Sequence, residues 1–136
     1  MKTLYLLRHA KSGWDDDQLS DAERPITKRG KRDCQLIASE IQRREHLFKY
    51  VYCSTAKRAQ ETLKRFQADA SVFDDATITL DEALYTFEAP KLLAWIKELP
   101  QAQNHAVIIG HNPALADLAN YLYDGKISHV GTCSFM

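Results

Sequence analysis

Short apolar runs alternate along the chain with segments in which apolar residues recur at helical spacing. The apolar runs predict four strands, at residues 3–7, 48–53, 76–80 and 106–109. The amphipathic segments predict four helices, around residues 34–41, 59–66, 92–99 and 115–122. This alternation predicts an α/β fold, in which helices cover both faces of a mostly parallel sheet.

Turn-forming residues set limits on two of the predicted helices. The third helix stops before Pro100, because a proline cannot continue the hydrogen-bond ladder. The fourth has Pro113 in its first turn and Asn112 as its N-cap, and it stops near Gly125. The last residues, 127–136, are typical of a further strand that ends with the chain, which predicts an uncovered sheet edge.

Composition indicates a single globular domain over residues 1–136, with 45% hydrophobic residues to build a core. Eighteen basic residues balance eighteen acidic ones, so no long-range positive field attracts nucleic acid or an anionic membrane surface. The apolar start of the chain is too short for a signal peptide, and no later stretch is long enough to span a membrane. We therefore expect a cytoplasmic protein that binds neither nucleic acid nor a membrane.

The cysteines and glycines exclude several kinds of site. Cys34, Cys53 and Cys133 are odd in number and widely spaced, which fits neither a disulfide framework nor a paired-cysteine zinc site. With only five glycines, the chain has neither a dinucleotide-binding fingerprint nor a P-loop. We expect no cofactor and no metal, and any phosphate site must bind its ligand without a glycine-rich loop.

Basic side chains follow three of the predicted strands at the point where each strand ends. Arg8 and His9 follow the first strand, Arg58 lies in the first turn of the helix after the second, and His111 follows the fourth. Because the carboxyl ends of parallel strands meet at one edge of a sheet, we expect these four side chains to converge there. If each of these four residues had only a structural role of its own, their position at one edge of the sheet would be a coincidence.

Two arginines and two histidines at one edge suit phosphoryl transfer. That reaction needs a nucleophile and several donors that neutralise the phosphoryl oxygens. Arginine offers forked, permanently charged donors, and a neutral imidazole is a competent nucleophile near neutral pH. A protonated second histidine would add a further donor without adding a metal.

Four motifs that carry these residues occur in order along nearly the whole chain: Arg8-His9-Ala10-Lys11-Ser12, Arg24-Pro25-Ile26-Thr27 with Gly30, Ser54 with Arg58-Ala59 and Thr62, and Gly110-His111-Asn112-Pro113. With them the chain resembles the histidine phosphatase superfamily and, more narrowly, its short SixA-type phosphohistidine phosphatase branch. The resemblance implies a phosphoglycerate mutase-like, three-layer α/β/α domain without lid insertions. Members of this branch usually continue beyond Phe135-Met136, so the domain is expected to lack part of its usual C-terminal end.

The resemblance also implies roles for individual residues. His9 would be the nucleophile that becomes phosphorylated. The pocket around the phosphoryl group would consist of Arg8, Arg58 and His111, with Ser12 and the amide of Asn112 as further substrate-binding groups. Thr27 would open the first long helix, and Pro25 would shape its approach.

A proton donor for the leaving group is the weakest part of the pattern. Larger members of the superfamily use a carboxylic acid, and the candidate by position here is Glu82, with Glu88 behind it. Neither residue lies in a motif. An alkoxide leaving group needs such an acid, whereas the nitrogen of a phosphohistidine is protonated more readily, so a weak acid signal favours a P–N substrate.

Other enzyme classes fit less well. Cys53 precedes Arg58 by four intervening residues rather than the five of a cysteine phosphatase loop, and no Gly-x-Ser-x-Gly elbow is present. A zinc site using His105 and His111 would span a predicted strand without a flanking carboxylate. A non-catalytic phosphate-binding module remains an alternative, although a binder would need no nucleophile.

The expected substrate is phosphohistidine on a signalling protein, such as a His-containing phosphotransfer domain, because a short chain without insertions should leave the pocket shallow and open. A small phosphate ester is the alternative, and the oligomeric state is left open. Activity is expected to fall on acidification as His9 takes up a proton, although neighbouring arginines should depress its pKa below the ordinary value of about 6.5.

Overall fold

The computed structural model describes residues 3–13, 18–44, 48–122 and 135 of the chain. Within them, four strands form one sheet: β1 (Thr3–Arg8), β2 (Tyr50–Ser54), β3 (Thr77–Asp81) and β4 (His105–Gly110). Four α-helices accompany the sheet: α1 (Lys28–Arg43), α2 (Lys57–Asp69), α3 (Ala89–Lys97) and α4 (Ala114–Leu122). The predicted α/β alternation is confirmed. Two short 3₁₀ helices, Asp21–Glu23 and Glu82–Leu84, carry no periodic pattern and were not predicted.

Several element boundaries differ from the sequence pattern, and three of the differences affect the core or the helix ends. β2 begins at Tyr50 rather than Phe48, because the Phe48 amide donates to the carbonyl of Val72 while its buried ring packs in the core. α3 ends at Lys97, and buried Leu99 follows it through an i→i+3 hydrogen bond that tightens the last turn. α4 begins at Ala114, so Pro113 precedes the helix instead of lying in its first turn.

All strand pairs in the sheet are parallel, in the order β1-β4-β2-β3. The register pairs Arg8 with Gly110 and Cys53 with Ile109, so the carboxyl ends of β1, β4 and β2 lie side by side. The segments that leave these three strands therefore begin at one edge of the sheet. β3 is the strand farthest from β1.

The core is divided between the two faces of the sheet. Adjacent residues of a strand face opposite sides, so Leu7 packs with α1 and α2 while Leu6 packs with α3 and α4. On β4, Ile109 and Ile108 are divided in the same way, and all four side chains are buried. This confirms the three-layer α/β/α arrangement. None of the described helices is both long and apolar enough to cross a membrane.

The segment after β1 is anchored to the start of α1. Thr27 is the N-cap of α1, as the resemblance implies: its hydroxyl accepts a hydrogen bond from the Gly30 amide at 3.0 Å. The Thr27 amide in turn donates to the carbonyl of Lys11 at 2.8 Å. A β-carbon on Gly30 would lie only 2.6 Å from that carbonyl oxygen, so a glycine is required for this close approach.

The strand predicted at 127–136 lies outside the described residues except for Phe135, and Cys133 lies outside them as well. Phe135 forms an isolated antiparallel bridge with Leu7. Its ring stacks on Tyr5 with the two ring centroids 5.7 Å apart. Phe135 thus lies against β1, the strand at that edge of the described sheet.

Candidate active site

A polar cavity of about 310 Å³ opens at the carboxyl edge of the sheet. Its lining residues come from the ends of β1 and β4, the start of α2 and the segments before α1 and α3: Arg8, His9, Lys11, Ser12, Asp21, Arg24, Arg58, Phe87 and Asn112. The buried ring of His111 lies behind it, with its centroid 5.2 Å from that of His9. The structure therefore brings together the six residues Arg8, His9, Ser12, Arg58, His111 and Asn112 that the sequence singled out.

The imidazole of His9 is held in a defined tautomer. Its Nδ1 lies 2.7 Å from the carbonyl oxygen of Ala10, and because a carbonyl can only accept, Nδ1 carries the proton and donates it there. The lone pair is then on Nε2, to which Nε of Arg58 donates at 3.3 Å. The backbone is fixed too, since the Ala10 amide donates to the Thr62 hydroxyl at 2.9 Å. Nε2 is thus the ring nitrogen that carries the lone pair.

Burial is the largest cause that lowers the pKa of His9, to about 4. The positive charges of Arg58, Arg8 and Arg24 lower the pKa further, whereas the hydrogen bond to Ala10 raises it. The expected direction of the shift is therefore confirmed, but desolvation contributes more than the arginines. His9 is neutral at neutral pH, with its lone pair available.

We expect His9 to titrate near pH 4 in the folded protein, because burial disfavours the imidazolium. The loss of activity caused by protonation of His9 should then begin only near that pH. Since the unfolded chain takes up this proton near pH 6.5, acidification between these values should also destabilise the fold. An NMR titration of the His9 ring would measure the midpoint, with the urea-unfolded chain as control. A midpoint near 6.5 in the folded protein would contradict the burial argument.

Arg58 lies in the first turn of α2 with its side chain 2% exposed, and it uses three different nitrogens. Besides Nε, which faces His9, one terminal nitrogen donates to the backbone carbonyl of Asp21 at 2.6 Å and the other to the Asp21 carboxylate at 2.9 Å. The guanidinium plane is therefore fixed at both ends. This leaves the remaining N–H groups of its fork for an anion.

Asp21, in the 3₁₀ helix before α1, was not predicted as a site residue. Its carboxylate also accepts hydrogen bonds from Arg24, at 2.8 Å, and from the hydroxyl of Tyr85. Burial raises the pKa of Asp21, but the hydrogen bonds from Tyr85, Arg58 and Arg24 outweigh it and lower the pKa to about 2. Asp21 is therefore ionised at neutral pH and holds two arginines in place.

Arg24 is a third arginine of the pocket, and the sequence indicated it only as part of a motif. Its side chain is largely buried, and it donates from Nε to the carbonyl of Gly13 at 3.1 Å and from a terminal nitrogen to the hydroxyl of Ser12. Ser12 is itself buried and pairs with Ile26 in an antiparallel bridge. Ser12 thus contacts Arg24 as well as lining the cavity.

His111 is buried at the end of β4, and its Nε2 lies 2.8 Å from the hydroxyl of Ser54. Burial is the largest cause that lowers its pKa to about 3, and the charges of His9 and Arg58 act in the same direction. The neutral ring of His111 is therefore favoured over the protonated one at neutral pH. Asn112, the next residue, accepts from the Ala116 amide at 3.3 Å through its side-chain oxygen. It thus satisfies an amide in the first turn of α4, but it lies one residue before the N-cap, because the helix begins at Ala114.

The two glutamates considered as proton donors are not among the residues that line the cavity. Glu82 is exposed and begins the short 3₁₀ helix that follows β3. Glu88 is exposed and pairs with Lys91 at 2.7 Å. The carboxylate that lines the cavity, within the described part of the chain, is Asp21.

The geometry also bears on the alternative nucleophile and metal site. Cys53 is fully buried, and burial raises the pKa of its thiol to about 12, so the reactive thiolate is strongly disfavoured. His105 begins β4 and is exposed, whereas His111 follows the opposite end of that strand. Among the described residues, no group of three or more histidine, cysteine or acidic side chains is arranged to hold a metal ion.

Comparisons with known proteins show which family and which relatives the chain is similar to. The family model described as "Histidine phosphatase superfamily (branch 1)" matches residues 4–89, more than half of the chain. An uncharacterized chloroplastic protein of Arabidopsis thaliana is 36% identical over 88 residues, which cover 65% of this chain and 40% of that protein. An uncharacterized protein of Mycobacterium tuberculosis is 30% identical over 113 residues, covering 83% of this chain and 67% of the other.

Solved structures share the fold at lower identity. A protein named as the phosphohistidine phosphatase SixA from Agrobacterium tumefaciens superposes with a TM-score of 0.82 at 23% identity, covering 97% of this chain and 86% of that one. The protein histidine phosphatase SixA complexed with tungstate gives 0.81 at 20% identity, covering 96% and 83%. A protein named as an α-ribazole-5′-P phosphatase from Escherichia coli gives 0.69 at 17% identity, covering 99% and 89%.

Proposed function

Since the chain belongs to the histidine phosphatase superfamily, we propose that it is a phosphatase that carries the phosphoryl group on Nε2 of His9. The observation that supports this most directly is the tautomer of His9. Its Nδ1 proton is held by the Ala10 carbonyl, and its Nε2 lone pair lies in a cavity lined by three arginines. A neutral nucleophile among permanent cations suits attack on a phosphoryl dianion.

In the first step the Nε2 lone pair of His9 forms a bond to phosphorus while the bond to the leaving group breaks. Arg8, Arg24 and Arg58 surround the phosphoryl oxygens and neutralise charge that develops on them. The His9 ring becomes cationic as it is phosphorylated, and the Ala10 carbonyl stabilises that charge through Nδ1–H. In the second step water attacks phosphorus, the N–P bond breaks, and His9 regains its lone pair as phosphate and a proton leave.

Phosphohistidine presented by a partner protein is the substrate class that we propose. Neither Glu82 nor Glu88 lines the cavity, and Asp21 is ionised, so no carboxylic acid among the described lining residues is set to protonate an alkoxide. A phosphorylated imidazole needs no such acid, since solvent can protonate its other ring nitrogen and it then leaves as neutral imidazole. The similarity of fold to proteins named as SixA phosphohistidine phosphatases supports the same class.

The test compares turnover of a phosphohistidine-bearing phosphotransfer protein with that of sugar phosphates, without added metal. We expect kcat/KM to be at least about tenfold higher for the P–N substrate, because each tenfold corresponds to about 1.4 kcal/mol of leaving-group assistance that an ester lacks here. His9→Ala supplies the background, since phosphohistidine also hydrolyses unaided. A higher kcat/KM for the sugar phosphates would overturn the proposed substrate class. Phosphate binding without turnover of either substrate would mean that the chain is a non-catalytic phosphate-binding module.

A further inference from the structure

The hydroxyl of Ser54 connects the end of β2 to His111 behind the cavity. Ser54 is fully buried, and its Oγ lies 2.8 Å from Nε2 of His111. The backbone amide of Ala56 donates to the same oxygen at 3.2 Å. An amide N–H can only donate, so it uses a lone pair of the hydroxyl and leaves the hydroxyl hydrogen for His111. A buried hydroxyl hydrogen without an acceptor would be unfavourable, which makes Nε2 of His111 its acceptor.

This assignment determines which nitrogen of His111 carries the proton. A neutral imidazole has one N–H and one lone pair, so an Nε2 that accepts from Ser54 leaves the proton on Nδ1. Nδ1 is buried and has no hydrogen-bond partner among the described residues. A buried donor without a partner is rare in a folded protein and indicates a group that a ligand completes.

The surroundings of His111 indicate where that ligand lies. Its ring is flanked by the rings of His9, Tyr85 and Phe87, with centroids 5.2, 5.3 and 5.5 Å away. Phe87 has no acceptor to offer, and the hydroxyl of Tyr85, which donates to Asp21, is not a hydrogen-bond partner of His111 Nδ1. The side toward His9 is therefore the one from which an acceptor oxygen reaches His111.

We propose that Ser54 is a positioning residue that holds His111 in the tautomer with the proton on Nδ1, so that this N–H donates to an oxygen of the phosphoryl group. The opposite tautomer would point a lone pair at an anionic oxygen and repel it. The inference rests on the proposed function for the identity of the ligand, and it assigns a role to a hydroxyl that lies outside the cavity.

The first test reads the tautomer itself. The chain is labelled with ¹⁵N-histidine and studied by NMR, in which a protonated ring nitrogen and an unprotonated one have different chemical shifts. The two signals of His111 are identified as those that disappear in the variant His111→Asn. We expect Nδ1 to be protonated in the wild type. Ser54→Ala should move protonation to Nε2 or mix the two forms, while Ser54→Thr, which keeps a hydroxyl, should restore the wild-type pattern. Protonation of Nε2 in the wild type would overturn the proposal.

The second test reads the consequence for an oxyanion, with tungstate as the probe. Ser54→Ala should weaken tungstate binding about 10- to 100-fold, the range seen when a group that orients a histidine ligand is removed. The matched control is Thr55→Ala, which removes the neighbouring hydroxyl but not the contact to His111. Equal affinity in Ser54→Ala and wild type would overturn the proposal. If tungstate binding depends on Ser54 but the chain hydrolyses no phosphorylated substrate, the role of Ser54 is supported and the proposed phosphatase function is refuted. Failure of one proposal can therefore be told apart from failure of the other.

Discussion

Replacing His9 with alanine is expected to lower turnover of the phosphorylated substrate by at least about 10³-fold. The variant loses the nitrogen that bonds to phosphorus, so the covalent route is closed, and only stabilisation by the surrounding arginines remains. Release of inorganic phosphate measures the rate. Mass analysis of rapidly quenched wild type should find one phosphoryl group on the peptide that contains His9, and His9→Ala should carry none.

The matched control for that experiment is His105→Ala. His105 is exposed at the start of β4, at the opposite end of the strand from the cavity, so its loss should leave turnover unchanged. Tungstate affinity separates a catalytic defect from unfolding, because Arg8, Arg24 and Arg58 are still present in His9→Ala and should still bind the anion. Unchanged phosphatase activity in His9→Ala would refute the covalent mechanism.

The fold was predictable because each strand carries its pattern in the residues themselves. Leu6 and Leu7 lie on opposite faces of a sheet that is covered on both sides, so an uninterrupted apolar run indicates a buried parallel strand. The boundary error at β2 has the same origin. Phe48 is buried and apolar like a strand residue, but it contacts the core from a loop, and hydropathy does not distinguish the two cases.

The site was predictable only where its residues follow strands. Arg8, His9 and His111 lie at positions that the strand pattern itself marks, and parallel pairing then brings them to one edge. Asp21 and Tyr85 are 64 positions apart and meet through a hydrogen bond; Asp21 lies in one short 3₁₀ helix, and Tyr85 directly follows the other. No periodicity marks such segments, so only the tertiary structure reveals that an ionised carboxylate holds Arg24 and Arg58 in place.

Arg58→Lys is the second substitution expected to have a large effect, lowering kcat/KM by about 10²- to 10³-fold, the range for loss of one preorganised donor to a developing oxyanion. The contacts of Arg58 depend on the shape of its guanidinium group as well as on its charge. Its planar fork reaches Nε2 of His9 with one nitrogen and Asp21 with the other two. A lysine has a single nitrogen on a flexible stem, so it cannot hold both contacts and still present donors to a phosphoryl group.

The control is Arg65→Lys, on the same helix α2, where the arginine pairs with Asp69, four positions along the helix, at 3.3 Å. That variant should keep wild-type kcat/KM and a similar melting temperature.

Asp21→Asn tests whether the orientation of Arg58 matters by changing its partner, because it keeps the shape of the side chain but weakens the contact to Arg58. If orientation is what matters, Asp21→Asn should lower activity in the wild type but add little in the Arg58→Lys background. Activity of Arg58→Lys within about threefold of wild type, a difference of less than about 1 kcal/mol, would mean that the positive charge suffices and that the fixed fork has no catalytic role.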